Sequence, residues 1–236
     1  MQSKWFKSNP KCVIICGGRG TRLDPHTTDK AKSMIEIKGK PIIDYVIDYW
    51  KQFTSDFVFI LGYRALDIKE HVSNMSINCE FVIEQGAPNG IAKALLLAEQ
   101  FASKNFIVVL GDCLCSGKFS FPVDFVHGVG VWETENDEDI KRSYSVECSD
   151  NKIEKVIEKP QLLVNRLCGL GFYFFNGAVF EYINKTPQSL RTSNIELTDV
   201  IQKMIDEGEL ISPIKLEGKY LNVTYPEDLK RAEDIV

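Results

Sequence analysis

Apolar residues fall along the first half of the chain as short unbroken runs, separated by segments in which they recur every three or four positions. Val13-Ile-Ile-Cys16, Phe57-Val-Phe-Ile-Leu61, Cys79-Glu-Phe-Val-Ile83 and Phe106-Ile-Val-Val-Leu110 are such runs, of the length and β-branched or aromatic content that buried strands require. Between the first two, Pro41 suits a first helical turn. Ile42, Ile43, Val46, Ile47 and Trp50 then fall on one helical face, away from Asp44, Asp48 and Lys51. Further helices are predicted over 65–72 and 91–102. Strands alternating with helices imply an α/β fold, a doubly wound, mostly parallel sheet covered on both faces. Beyond residue 116 the pattern becomes strand-rich, with strands predicted over 130–134, 144–148, 152–157 and 171–175, followed by helices. The acidic run Glu133-Thr-Glu-Asn-Asp-Glu-Asp139 reads as a solvated loop. Pro226-Glu-Asp-Leu-Lys-Arg-Ala232 reads as a helix opening on proline and acidic residues. No repeat or long linker interrupts the pattern, so 1–236 is read as one domain, with halves of about 12–115 and 116–236.

Composition narrows the chemistry. With 236 residues, 44% of them hydrophobic, the chain can bury a full core. Its formal charge of -5 argues against standing attraction to nucleic acid or anionic membranes, which are bound through clustered Lys and Arg. No stretch approaches the roughly 20 apolar residues of a membrane span, and the apolar run after Lys11 is too short for a signal-peptide core. Seven scattered cysteines without Cys-x-x-Cys pairs read as reduced thiols in a cytoplasmic protein.

The segment after the first strand, Cys16-Gly-Gly-Arg-Gly-Thr-Arg-Leu23, is the most informative. Glycines admit positive φ and let backbone N–H groups approach an anion without interference from Cβ. Arg19 and Arg22 add charge that persists at any working pH. A Walker loop would end in Gly-Lys-Ser/Thr, and a dinucleotide fingerprint would place a third glycine at Leu23 and an acidic residue at the end of strand two. Leu61-Gly-Tyr-Arg64 stands there instead. Gly111-Asp112 follows a central strand at its carboxyl end, where open α/β sheets hold their ligands.

Arg22-Leu23, Lys30-Ala-Lys32, Lys40-Pro41, Gly90-Ile-Ala-Lys-Ala94, Gly111-Asp112 and Glu158-Lys-Pro160 occur in an order that resembles the sugar-1-phosphate nucleotidyltransferases, over residues 12–234. That resemblance implies a Rossmann-like fold whose first half holds a nucleoside triphosphate, with a smaller strand-rich portion in the second half that holds a phosphorylated acceptor. It implies that Gly17, Gly18, Arg19, Gly20 and Thr21 wrap the triphosphate, that Arg22 steadies the departing pyrophosphate, and that Lys32 is the family's lysine, here after Ala31 rather than proline. Gln85 would read the base and the Gly90 backbone would lie beside it; an amide donor and acceptor suits a pyrimidine. Asp112 would hold Mg²⁺, and Asn222 stands where the family has a second aspartate ligand. Glu158 and Lys159 would hold the acceptor's hydroxyls and phosphate, with Gly171 beside them, and Ser145 replaces a glycine of the acceptor pocket.

The implied reaction is in-line attack of an acceptor phosphate on the α-phosphorus of the triphosphate. A sugar 1-phosphate destined for a surface polysaccharide is the first expectation. A non-sugar phosphate such as phosphocholine or phosphoglutamine, taken by a cytidylyltransferase, is the second, and a non-catalytic nucleotide-binding homologue the third. Nucleic acid and membrane are not expected partners, and homo-oligomerisation is left open.

Overall fold

The computed structural model describes residues 3–86, 90–102 and 104–236. Its elements in chain order are β1 (Lys11–Cys16), β2 (Glu36–Ile37), β3 (Lys40–Pro41), α1 (Ile42–Trp50), β4 (Asp56–Leu61), α2 (Ala65–Ser73), β5 (Asn78–Ile83), α3 (Ile91–Leu96), β6 (Phe106–Leu110) and β7 (Cys113–Ser120). They continue with β8 (His127–Glu133), α4 (Asp137–Arg142), β9 (Tyr144–Ser149), β10 (Lys152–Glu158), β11 (Leu167–Phe175), α5 (Ala178–Lys185), α6 (Leu197–Asp206), β12 (Ile211–Asn222) and α7 (Pro226–Ala232).

Among the described residues, ten strands form one sheet in the order β5-β4-β1-β6-β11-β8-β12-β7, with β9 joining β11 and β10 joining β9. The first four strands pair in parallel, and both faces of β1, β4 and β6 are buried, which is why they read as continuous apolar runs. The antiparallel pairs lie in the second half, at β11 with its three neighbours, at β9 with β10, and at β12 with β7. The α/β expectation holds, with the parallel character concentrated before residue 111.

Two apolar clusters sandwich the sheet. One gathers α1 with Trp5, Trp50, Phe57, Phe59, Phe172 and Phe174. The other gathers α3, α5 and α6 with Phe106, Tyr144, Tyr173 and Phe175. The five α1 residues assigned to its inner face are all buried.

Three local expectations need correction. The helix predicted over 91–102 stops at Leu96, and a separate 3₁₀ turn, Glu99–Phe101, follows. The acidic run is not all solvated loop: Asp137 opens α4, capped by Asn136 Oδ1 on the Glu138 N–H, and Asp139 turns inward to Arg231 at 2.9 Å. Strands β7 and β12 are additional. β12 changes partner at Lys215, running parallel to β8 before it and antiparallel to β7 after it. That switch returns the chain to the end of β6: Asn222 pairs with Cys113, and the Val223 N–H donates to the Asp112 carbonyl at 3.0 Å.

Candidate active site

Three adjoining cavities open at the carboxyl ends of β1 and β6, and Asp112 lines all three. The first, of about 200 Å³, is a mainly apolar slot between Ile15, Gly17 and Gly18 on one side and Gly90, Ile91 and Ala94 at the start of α3 on the other. The second, of about 110 Å³, lies under the glycine loop between Gly18, Gly20, Lys32 and Ser33. The third, of about 420 Å³, runs toward the strand-rich half and is lined by Arg22, Lys32, Arg142, Tyr144, Glu158, Lys159, Gly171, Tyr173, Glu196, Tyr220, Asn222 and Tyr225, among others.

The glycine loop holds its shape through contacts that only glycine permits. Gly20 has φ +72, and a Cβ there would lie 3.0 to 3.2 Å from the Lys32 side-chain carbons. Thr27 Oγ1 donates to the Gly20 carbonyl at 2.9 Å. The loop is thus built against the stem of Lys32, whose ammonium bonds the Asp112 carboxylate. Both side chains are largely shielded, at 14% and 24% exposure, which strengthens the pair relative to a surface one.

The third cavity is lined by cations in different states. Among the described residues, no carboxylate lies within ion-pairing distance of Arg22 or Lys159; Arg22 instead sits 5.9 Å from the Tyr225 ring. Unpaired cations facing a polar cavity are suited to phosphate oxygens. Lys159 has φ +46, and its N–H donates to the Ser143 carbonyl at 2.8 Å, tying β10 to the start of β9. Glu158 lies beside it; burial and the neighbouring Glu196 push its carboxyl above the usual range, while Lys159, Arg191 and a hydrogen bond from Thr198 oppose the shift. Arg191 approaches Glu158 at 3.7 Å and Glu196 at 3.2 Å.

Gly171 lies where β11 bulges against Cys113: a Cβ would stand 2.6 Å from Cys113 Sγ, and the Gly171 N–H donates to Tyr220 Oη at 3.1 Å. Tyr220 Oη also meets Cys113 Sγ at 3.1 Å, so the thiol that follows Asp112 is tied to β12. Burial pushes both the Cys113 thiol and the Tyr220 phenol well up, leaving them neutral.

A metal site was anticipated at Asp112 and Asn222. The β12 switch sets them side by side, Asn222 Oδ1 accepting from Thr224 Oγ1 at 3.1 Å. Among the described residues no group of three or more His, Cys, Asp or Glu could hold an ion. One carboxylate with one amide oxygen suits a hard cation that keeps waters and substrate phosphates as its remaining ligands, as Mg²⁺ does.

Of the site residues anticipated from sequence, Gly17, Gly18, Gly20, Arg22, Lys32, Gly90, Asp112, Glu158, Lys159, Gly171 and Asn222 line these cavities. Four do not. Arg19 and Thr21 are exposed, Arg19 lying 3.9 Å from Asp24 and 5.6 Å from the Tyr63 ring. Gln85 is exposed while Glu84 lines the slot; residues 87–89 of that turn lie outside the described residues. Ser145 is buried with its hydroxyl unpartnered, and the preceding Ser143 and Tyr144 line the cavity instead. Sequence reasoning missed Arg142, Glu196, Tyr220 and Tyr225, which reach the cavity only through long-range packing. Arg142 and Glu196 carried one available signal, charge at the end of a helix and directly before another.

The pattern of the nucleotidyl transferase family matches residues 11–233. The bifunctional protein GlmU of Methanocaldococcus jannaschii is 32% identical over 220 residues, covering 93% of this chain and 52% of that protein. The chain thus spans about half the length of the bifunctional relatives it matches. The UTP–glucose-1-phosphate uridylyltransferase AglF of Haloferax volcanii is 30% identical over 231 residues, covering 94% of this chain and 95% of that one. Among solved structures, the inositol-1-phosphate CTP transferase from T. maritima has the same fold, with a TM-score of 0.81 at 22% identity over 95% of this chain and 93% of that chain. With a glycine loop, a strand-end aspartate and a pattern match that runs almost from end to end, the chain belongs to the nucleotidyl transferase family.

Proposed function

We propose that the protein transfers a nucleotidyl group from a nucleoside triphosphate to a phosphorylated small molecule, releasing pyrophosphate. The observation that carries this reading is the place of Asp112, common to the apolar slot, the glycine-loop cavity and the cation-lined cavity. A nucleoside would enter the slot, its triphosphate would pass under Gly17 to Gly20, and the acceptor would occupy the third cavity. The full glycine segment, with Arg19 and Thr21, belongs to the triphosphate side of this reading, and Gln85 to the base. Ser145 acts on the acceptor side through its neighbours Ser143 and Tyr144, where the chain passes from α4 into β9.

The chemistry follows from charge. An acceptor phosphate oxygen attacks the α-phosphorus, the bond to the bridging oxygen toward the β-phosphorus breaks, and pyrophosphate departs. The attacking phosphate monoester is already ionised, so no general base is needed. Both reactants are anions, and positioning with charge neutralisation is the protein's main task. Lys159 holds the acceptor phosphate, Arg22 meets the departing pyrophosphate, and Lys32 neutralises the transferred group once the triphosphate draws it from Asp112. Mg²⁺, held by Asp112 and Asn222 Oδ1, would supply further charge stabilisation across the triphosphate.

A pyrimidine triphosphate and a sugar 1-phosphate are the favoured pair, supported by the relative named for UTP and glucose 1-phosphate. The product would be a nucleotide-activated building block for a glycan or surface polysaccharide, made in the cytoplasm. The test is pyrophosphate release across a matrix of five triphosphates and a panel of phosphorylated sugars, phosphocholine and phosphorylated amino acids. Lys159→Ala should cut acceptor-dependent release far more than it weakens triphosphate binding; equal loss of both refutes its role. No release from any pair, with triphosphate still bound, would instead favour a nucleotide-binding regulatory protein.

A further inference from the structure

The acceptor cavity holds more positive charge than one phosphate needs. Five cations line it, Arg22, Lys32, Lys141, Arg142 and Lys159, against the carboxylates of Asp112, Glu158 and Glu196. Asp112 is matched by Lys32, and Glu158 and Glu196 share Arg191. In the reaction proposed above, Arg22 and Lys159 serve the pyrophosphate and the acceptor phosphate. Lys141 and Arg142 are left over.

Two of their carboxylate partners are well exposed: Lys141 meets Glu138, 57% exposed, at 3.3 Å, and Arg142 meets Glu227, 60% exposed, at 3.4 Å. Such pairs are weak and readily exchanged. Basic residues in the last turn of α4 complement its dipole, but that role is satisfied by side chains reaching into water. Arg142, although exposed, is also held on its inner side. Its guanidinium stacks 4.6 Å from the Tyr225 ring, a cavity residue, and is braced from behind by the buried Asp228 at 3.6 Å. A planar fork held this way loses little freedom on binding and retains N–H donors for a bidentate partner. The Lys159 N–H bond to the Ser143 carbonyl places the phosphate-binding lysine beside the strand that continues from Arg142.

Resting on that reading of the site, we propose that the acceptor carries, besides its phosphate, a carboxylate that docks on Arg142 with Lys141 beside it. A sugar acid 1-phosphate and a phosphorylated hydroxy acid both present this chemistry. Matched pairs that differ only by oxidation of one carbon separate them: glucose 1-phosphate against glucuronic acid 1-phosphate, and glycerol 3-phosphate against 3-phosphoglycerate.

Each compound is measured by calorimetric binding and by pyrophosphate release, with the full chain and with Arg142→Gln and Arg142→Lys. The carboxylated member of at least one pair should bind about tenfold to a hundredfold tighter, the range of a charge-assisted bidentate contact. Arg142→Gln should collapse that ratio toward one, and Arg142→Lys should restore part of it. Because the readout is a ratio within a pair, partial loss of folded protein cancels. Equal affinity within both pairs, or a ratio unchanged by Arg142→Gln, overturns the inference. Absence of pyrophosphate release from every pair and triphosphate, with the binding preference intact, overturns the proposed reaction and leaves the carboxylate site standing.

Discussion

Replacing Asp228 should destabilise the wall of the site strongly. Its carboxylate is 1% exposed and accepts the N–H groups of Thr224 and Tyr225, each at 2.9 Å, at the start of α7. It also faces Arg231 at 3.3 Å and Arg142 at 3.6 Å. Asp228→Ala removes the cap at the start of α7, leaving two shielded amides without an acceptor, roughly 1–3 kcal/mol each before water relieves them. Both arginines stay more than a third exposed, so their lost pairing adds little. A net cost of about 2–5 kcal/mol follows, equivalent to a Tm fall of roughly 5–20 °C for a chain of this size. Asp228→Asn keeps an oxygen for the amides and should recover about half of this loss. Thermal and urea unfolding of the three proteins, followed by far-ultraviolet circular dichroism, measures it. A loss under about 1 kcal/mol for alanine, or an asparagine variant as unstable as alanine, would refute the assignment of the stability to those two amide bonds.

Three further outcomes are expected. His127 is fully buried near Glu209, at 3.7 Å, and the Phe175 ring; burial lowers its pKa while Glu209 pulls it the other way. The unfolded chain then takes up a proton near pH 6.5 that the native protein refuses, so stability is full above that pH and falls as pH drops toward the lowered native value. Comparing urea midpoints from pH 7.5 to 5 with His127→Leu checks this, and an identical slope in the variant would exclude His127 as the source. Gly20→Ala, forced to φ +72 and against the Lys32 stem, should cost about 1 kcal/mol of stability and lower pyrophosphate release about tenfold or more, a displaced charge of this kind being costly; unchanged release would show that the lysine stem can give way. Asp112→Asn should lower release by about a hundredfold or more, and a wild-type rate would remove it from the reaction.

The parts of the fold visible in the sequence are those whose burial is complete and local. β1, β4 and β6 announce themselves because both faces are covered, and α1 because its buried face is continuous. β7 and β12 do not, since Gly117 and Lys118 interrupt one, and Pro213, Gly218 and Lys219 the other; their pairing, not their composition, makes them strands. The glycine-loop cavity is legible for the same local reason, a contiguous loop after a strand, although Arg19 and Thr21 of that loop do not line it. Of the residues anticipated for an acceptor, Glu158, Lys159 and Gly171 line the third cavity and Ser145 does not. Arg142, Tyr225 and Asp228 meet across more than 80 residues of chain, a distance over which no spacing rule operates. Asp139 was hidden by its own surroundings, one inward carboxylate in an acidic run, distinguished only by the arginine waiting for it at 231.

The bond between Lys32 and Asp112 neutralises these two side chains in the resting site. Any cation that Asp112 is to hold must compete with an ammonium already in place, built against the glycine loop at Gly20. A free divalent ion arrives with nothing to offer the lysine in exchange, whereas a triphosphate offers it oxygens and brings its own metal. In the proposed reaction the pair would then act as a two-key lock, opened by metal and nucleotide together and closed to stray ions otherwise.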